Sequence, residues 1–171
     1  MERNIVIIGD GYVGKTSILN AIKDKKFQEQ IPNVYDDFEL CQTVNGKQFQ
    51  LKFIDTAGQE EFAMIRNLSY KDANLFLLCF AVDDPVSFEN MESVWVPDLQ
   101  NCKDVPVVLV GTKSDLRKTN SCINRDEIIK FQKKINALFY AECSAKTLDG
   151  IEDLKKRILK LFAKEKSCII Q

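Results

Sequence analysis

Gly9-Asp10-Gly11-Tyr12-Val13-Gly14-Lys15-Thr16 stands between an apolar run at residues 4–8 and a segment of helical spacing, and no other stretch restricts the fold so tightly. Glycines at the first and sixth places let the backbone turn sharply out of a strand and close its N–H groups around one point. The helix that follows aims the positive end of its dipole at the same point. Such a cradle holds phosphate oxygens, with Lys15 meeting the β and γ phosphates of a nucleotide and the Thr16 hydroxyl ligating Mg²⁺. The pattern requires a strand, a turn and a helix in that order.

The rest of the chain alternates in the same way. Residues 75–81 and 105–110 are continuous in apolar side chains, as strands buried on both faces of a parallel sheet are. Phe88, Met91 and Trp95 recur at helical spacing behind Asp84-Pro85, with Pro97 disturbing that helix near its end. Ile128, Phe131 and Ile135 repeat the spacing behind Asn124, where Glu127 is placed for a capping box. Ile151, Leu154, Ile158, Leu161 and Phe162 form the stripe of a last helix. Phe49, Leu51 and Phe53 instead alternate with polar residues after Asn45-Gly46, which predicts a hairpin with residues 38–44. The expected fold is α/β: a mostly parallel sheet with one antiparallel edge strand, wrapped by helices, with ligands at the carboxyl ends of its strands.

Composition removes several other functions. The net charge is −1, so there is no excess of Lys and Arg for a nucleic-acid backbone. The chain has no histidine, which excludes nucleophile systems with a histidine base. Six cysteines lie without a C-x-x-C pair, and Cys79 and Cys143 read as small buried hydrophobes. The longest apolar run, residues 75–82, is too short to cross a bilayer, and the N-terminus has no signal-peptide pattern, so a cytoplasmic protein is expected.

Three further stretches lie at strand ends. Thr112-Lys113-Ser114-Asp115 follows the run at 105–110, Ser144-Ala145-Lys146 follows a short strand, and Asp55-Thr56-Ala57-Gly58-Gln59-Glu60 closes the hairpin. With the glycine-rich octapeptide they resemble the small GTPases of the Ras superfamily, whose G domain is a P-loop NTPase with a six-stranded sheet and helices on both faces. The resemblance implies that Asp115 accepts from guanine N1–H and its 2-amino group, and that the Lys113 stem lies on the purine. Gly11, Tyr12, Val13, Gly14, Ser17, Phe27, Gly58, Leu116, Thr112, Ser144, Ala145 and Lys146 complete the GTP/GDP set. Asp55 reaches Mg²⁺ beside Thr16, and Gln59 orients the attacking water, so Gln59 and Lys15 are the catalytic pair.

Within that superfamily the look is Rho-like: Ile31-Pro32-Asn33-Val34-Tyr35-Asp36, Asn67-Leu68-Ser69-Tyr70, Ser87-Phe88-Glu89-Asn90, Val94-Trp95-Val96-Pro97 and Thr112-Lys113-Ser114-Asp115-Leu116-Arg117 carry it. Three departures stand out. Only 28 residues separate Asp115 from Ser144, leaving no room for the helix Rho proteins insert there. Glu60-Glu61-Phe62 leans toward Ras-like sequences. The first switch is one residue short after Phe27 and carries Asn33 where the family has a threonine on Mg²⁺. Tyr12, where the family has a small residue, either covers the phosphates and ribose or points to solvent.

Residues 1–165 are expected to form the G domain and 166–171 a tail ending Cys168-Ile169-Ile170-Gln171, a C-a-a-X pattern that makes Cys168 the lipidation site and favours farnesyl. From residue 151 onward six basic residues face three acidic ones, which reads either as a membrane-facing patch or as a solvated helix face. The expected protein is a monomeric Rho-like switch that hydrolyses GTP slowly with Mg²⁺, since no arginine lies in residues 27–36, and signals to the actin cytoskeleton from the cytoplasmic face of the plasma membrane. Its expected partners are exchange factors, GTPase-activating proteins, a GDP-dissociation inhibitor and switch-reading effectors. The alternatives are a hydrolysis-poor pseudo-GTPase scaffold and an ATP-dependent small-molecule kinase.

Overall fold

The computed structural model describes residues 1–27, 37–44, 46–56, 70–119 and 121–164. Six strands form one sheet: β1 (Glu2–Ile8), β2 (Phe38–Val44), β3 (Lys47–Asp55), β4 (Leu75–Ala81), β5 (Val107–Thr112) and β6 (Tyr140–Glu142), in the order β2-β3-β1-β4-β5-β6. Only the β2–β3 pair is antiparallel, with Val44 opposite Lys47 across the turn at Gly46. That is the predicted α/β architecture.

Alternate strand residues divide the core in two. Ile5, Ile7, Leu77, Cys79 and Val110 face α1 (Lys15–Asp24) and the C-terminal helix Ile151–Lys164, while Val6, Ile8, Phe76, Leu78, Phe80 and Leu109 face the helices on the other side. All seven residues of β4 are buried, at about 1.5–3 kcal/mol for each large side chain, so this central strand anchors both layers.

The second face begins with α2, Pro85–Asn90, where Asp84 accepts from the N–H groups of Val86 and Ser87 and Pro85 fills the first turn. The helix expected through Trp95 is not regular. It widens to a π turn over Met91–Trp95, with the Val96 N–H bonded to the Met91 carbonyl, then continues through Val96–Asp98 and a 3₁₀ turn, Leu99–Cys102. Pro97 explains the place: it has no N–H to give and crowds the preceding turn, so the helix loosens there at the lowest cost. Helix α3, Arg125–Lys134, is capped by Asn124 accepting from the Asp126 N–H, one position earlier than a capping box would have it. Helix α4 is Ile151–Lys164.

Strand β5 starts two residues later than its apolar run. Val105 donates to the Cys102 carbonyl in a turn, and Pro106 can offer β4 only its carbonyl, which accepts from Phe76. At the other end β5 runs on to Thr112, opposite Ala81. Between a 3₁₀ turn, Ser114–Lys118, and the start of α3 at Arg125 the described residues form no helix, in keeping with the short spacing. Cys79 and Cys143 are buried thiols, and burial holds the Cys143 pKa up at about 12, so both stay protonated and apolar in character. Among the described residues no helix is long and apolar enough to cross a membrane.

Candidate functional site: a cleft at the carboxyl ends of β1, β3, β5 and β6

Chain leaving β1 turns at Gly9, whose φ of 139° and close approach to β4 both require glycine: a Cβ there would lie 2.1 Å from the Cys79 carbonyl oxygen. At Gly11 the reason is different, because a Cβ would meet nothing of the protein within 4 Å. What glycine keeps clear at that point is the space above the loop. Gly14, at φ 94°, delivers the chain into α1. Lys15 is 5% exposed and donates through Nζ to the carbonyls of Gly9 (2.8 Å) and Asp10 (2.6 Å), so its charge is stored against the loop that surrounds it.

Thr16 Oγ1 donates to Asp55 Oδ2 at the end of β3. The other Asp55 oxygen is buried without a hydrogen-bond partner among the described residues. Burial pushes the Asp55 carboxyl above its ordinary pKa, against the Thr16 hydrogen bond and the Lys15 charge. A hydroxyl beside a carboxylate with an oxygen to spare suits a hard divalent cation that takes its remaining ligands from phosphate and water. These two residues therefore fit Mg²⁺. Among the described residues no cluster of three or more His, Cys, Asp or Glu side chains provides an all-protein metal cage.

The base end is built from the loops after β5 and β6. Ser144 Oγ donates to Asp115 Oδ1 at 2.6 Å and accepts from the Thr147 N–H, which fixes the carboxylate on the cleft wall. Thr112 Oγ1 shares its proton between the Val13 carbonyl of the glycine-rich loop and the Phe80 carbonyl, joining the base end to the phosphate end. Below them Glu142 accepts from Arg117 Nε and Nη2 (2.9 and 2.7 Å), from Arg125 Nε and Nη2 (3.0 and 2.9 Å) and from the Tyr140 hydroxyl (2.7 Å). Burial alone would raise its pKa, but the bonds from Arg125, Arg117 and Tyr140 outweigh it and hold Glu142 down at about 2. Arg117 lies two residues after Asp115 and Glu142 two before Ser144, so this ion pair clamps one recognition loop to the other.

Between the two ends lies a cleft of about 290 Å³ lined by Tyr12, Gly14, Ser17, Phe27, Thr112, Lys113, Asp115, Leu116, Ser144, Ala145 and Lys146, all expected, and by Ile18, which was not. Ile18 follows Gly14 by one helical turn. That spacing could have revealed it. Gly11 and Val13 lie in the loop beside the cleft and Lys15 and Thr16 in the first turn of α1, with the Val13 side chain in the core. Tyr12 stands at the mouth, 93% exposed and at φ 62°, so its ring packs on no part of the protein. Asn33, Gly58, Gln59 and Cys168 lie outside the described residues.

The family model described as "Ras family" matches residues 4–164, nearly the whole length over which these features are spread. The chain belongs to the Ras family. It is accordingly a small GTPase switch; proteins of this family bind GTP and GDP with Mg²⁺, hydrolyse GTP, and work with exchange factors, activating proteins and effectors. Sequence reasoning missed the Glu142 clamp. Arg117, Arg125 and Glu142 each look like an ordinary surface charge in the sequence, and no spacing rule joins them.

A second cavity of about 360 Å³ opens beside Tyr70, Asp98 and Cys102, near the amino ends of β4 and β5 and far from the cleft. Tyr70 donates to Asp98 across it, and none of the nucleotide motifs reaches it.

Proposed function

We propose that this Ras-family chain is a Rho-like GTP/GDP switch in which Asp115 selects guanine, Lys15 and the loop N–H groups hold the phosphates, and Mg²⁺ is held by Thr16 and Asn33 and, through a water, by Asp55. In this reading Gln59 orients the attacking water, and residues around Asn33 and Gln59 change with nucleotide state. The observation that carries it is the 2.6 Å bond from Ser144 to Asp115 on a cleft that also takes in Gly14, so a base carboxylate and a phosphate loop share one ligand-sized space. Asp115 held this way is left unpaired by adenine, which offers no donor pair to it.

The Rho-like assignment rests on the sequence stretches at residues 31–36, 67–70, 87–90, 94–97 and 112–117, and signalling to the actin cytoskeleton follows from it. Attachment to the plasma membrane through a prenyl group on Cys168 belongs to the same proposal; Cys168→Ser is expected to shift the protein to the soluble fraction. The central test is competition of GTP and ATP for the Mg²⁺-loaded protein, followed by a single turnover of bound GTP. Strong preference for GTP with hydrolysis at about 10⁻³ per second or slower supports the switch. Preference for ATP overturns the guanine assignment, and bound GTP that is never hydrolysed leaves a scaffold.

A further inference from the structure

The glycine-rich loop carries an acidic side chain, Asp10, in a place where phosphate chemistry has no use for one. Both of its oxygens are engaged by a single distant element. Trp95 Nε1 donates to Oδ1 at 2.6 Å and Asn90 Nδ2 donates to Oδ2 at 2.6 Å, from 85 and 80 positions along the chain. Both donors are neutral, so they satisfy the carboxylate without adding a positive charge next to the loop. Trp95 is 2% exposed.

The two donors are five residues apart, which on a regular α-helix separates them by about 140° around the axis and could not bring both to one carboxylate. The π turn changes this. Between Met91 and Trp95 the hydrogen bonds span five residues instead of four, as in Val96 N–H to Met91, and residue 95 comes to stack over residue 90. The irregularity that Pro97 favours thus has a second consequence: it aims Asn90 and Trp95 together at Asp10. The Asp10 carbonyl in turn accepts from Lys15 Nζ at 2.6 Å. Side chain and backbone of one residue therefore join the π turn to the phosphate-binding lysine.

We propose that Asn90 and Trp95 are positioning residues for the phosphate site: through Asp10 they fix the start of the glycine-rich loop and the direction of Lys15, and so set the grip on the β phosphate. This rests on reading the loop as the GTP/GDP phosphate site. A role confined to packing makes a different prediction, because it would weaken the fold without separating phosphate from base.

The test uses the full chain with Mg²⁺ and measures affinity for GDP and for GMP, which share the base and ribose and differ in the β phosphate. Trp95→Phe keeps an aromatic ring in the core but loses the five-membered ring together with its N–H donor, so it also opens a cavity that lowers stability; Asn90→Ala removes the other donor at a half-buried position without that cavity. Each is expected to lower the GDP-to-GMP affinity ratio about tenfold, the scale of one hydrogen bond to a charged group, with GMP affinity unchanged. In an Asp10→Asn background, Trp95→Phe is expected to have less than a twofold further effect, since the pair acts as a unit. Trp95 is the only tryptophan of the chain, so its indole N–H gives one isolated amide-region resonance, expected to move on Asp10→Asn and between the GDP-bound and GMP-bound forms. A GDP-to-GMP ratio within twofold of the wild-type value in both variants, even if both melt earlier, overturns the proposal and leaves the nucleotide site standing. Failure of the parent protein to prefer GDP over ADP would instead overturn the reading on which it rests.

Discussion

The two ends of the cleft are held together in different ways. At the base end side chains close on side chains: Ser144 on Asp115, and Arg117, Arg125 and Tyr140 on Glu142. At the phosphate end Lys15 closes on two backbone carbonyls, and Asp55 keeps one oxygen without a partner among the described residues. The difference follows the ligand. A guanine base is the same in GTP and GDP, so a fixed, interlocked wall can select it in either state. The phosphate charge changes at every turn of the cycle, and a lysine on carbonyls can transfer to phosphate oxygens because those carbonyls are weaker partners than an anion.

The comparison breaks most sharply at Asp115. Asp115→Asn is expected to reduce the preference for GTP over XTP by about 10⁴, because the amide donates where the carboxylate accepted. Competition binding of the two nucleotides checks it, and an unchanged preference would remove Asp115 from base recognition. At the other end Lys15→Ala is expected to cost about 10²-fold in GDP affinity while leaving the choice between GDP and XDP as it was, since a charged partner of the phosphate contributes about 1.5–3 kcal/mol and none of it concerns the base.

Glu142→Gln sharpens the contrast from beneath the base loops. Half of the bidentate acceptor is lost under two arginines, and unfolding stability is expected to fall by about 2–3 kcal/mol with faster release of GMP and GDP alike. The pH dependence has a definite sign. The folded pKa of Glu142, about 2, lies below its ordinary value of 4.5, so the stabilisation is complete above pH 4.5 and is lost as pH falls toward 2. Denaturant titrations between pH 5 and 2.5 are expected to show a shallower loss for Glu142→Gln than for the parent protein.

The smallest effect belongs to Tyr12. Its left-handed backbone costs a tyrosine about 1 kcal/mol, and its ring is exposed, so Tyr12→Gly is expected to raise the melting free energy by about that much in thermal unfolding. A loss of stability would mean that the ring holds the loop after all.

Much of the fold was legible because its causes are local. Continuous apolar runs gave β4 and most of β5, alternation gave the hairpin, and Asp84-Pro85 gave the start of α2. The exceptions have local causes that the apolar pattern does not carry. Pro106 delays β5 by withholding an N–H, and Pro97 turns a regular helix into a π turn.

Residues 9–16 by themselves determined a phosphate loop, because glycine spacing and helix dipole act over a few residues, and with Asp55, Asp115 and Ser144 they marked the cleft that the sheet assembles. The tertiary structure decided who holds these residues in place. Glu142 meets Arg117 only because β6 pairs with β5, and Asp10 meets Asn90 and Trp95 only because α2 and the π turn after it pack on β4, the neighbour of β1. Hydrogen bonds between residues 25, 80 and 85 positions apart depend on how strands stack and how a helix is wound, and no local pattern in a single sequence encodes that.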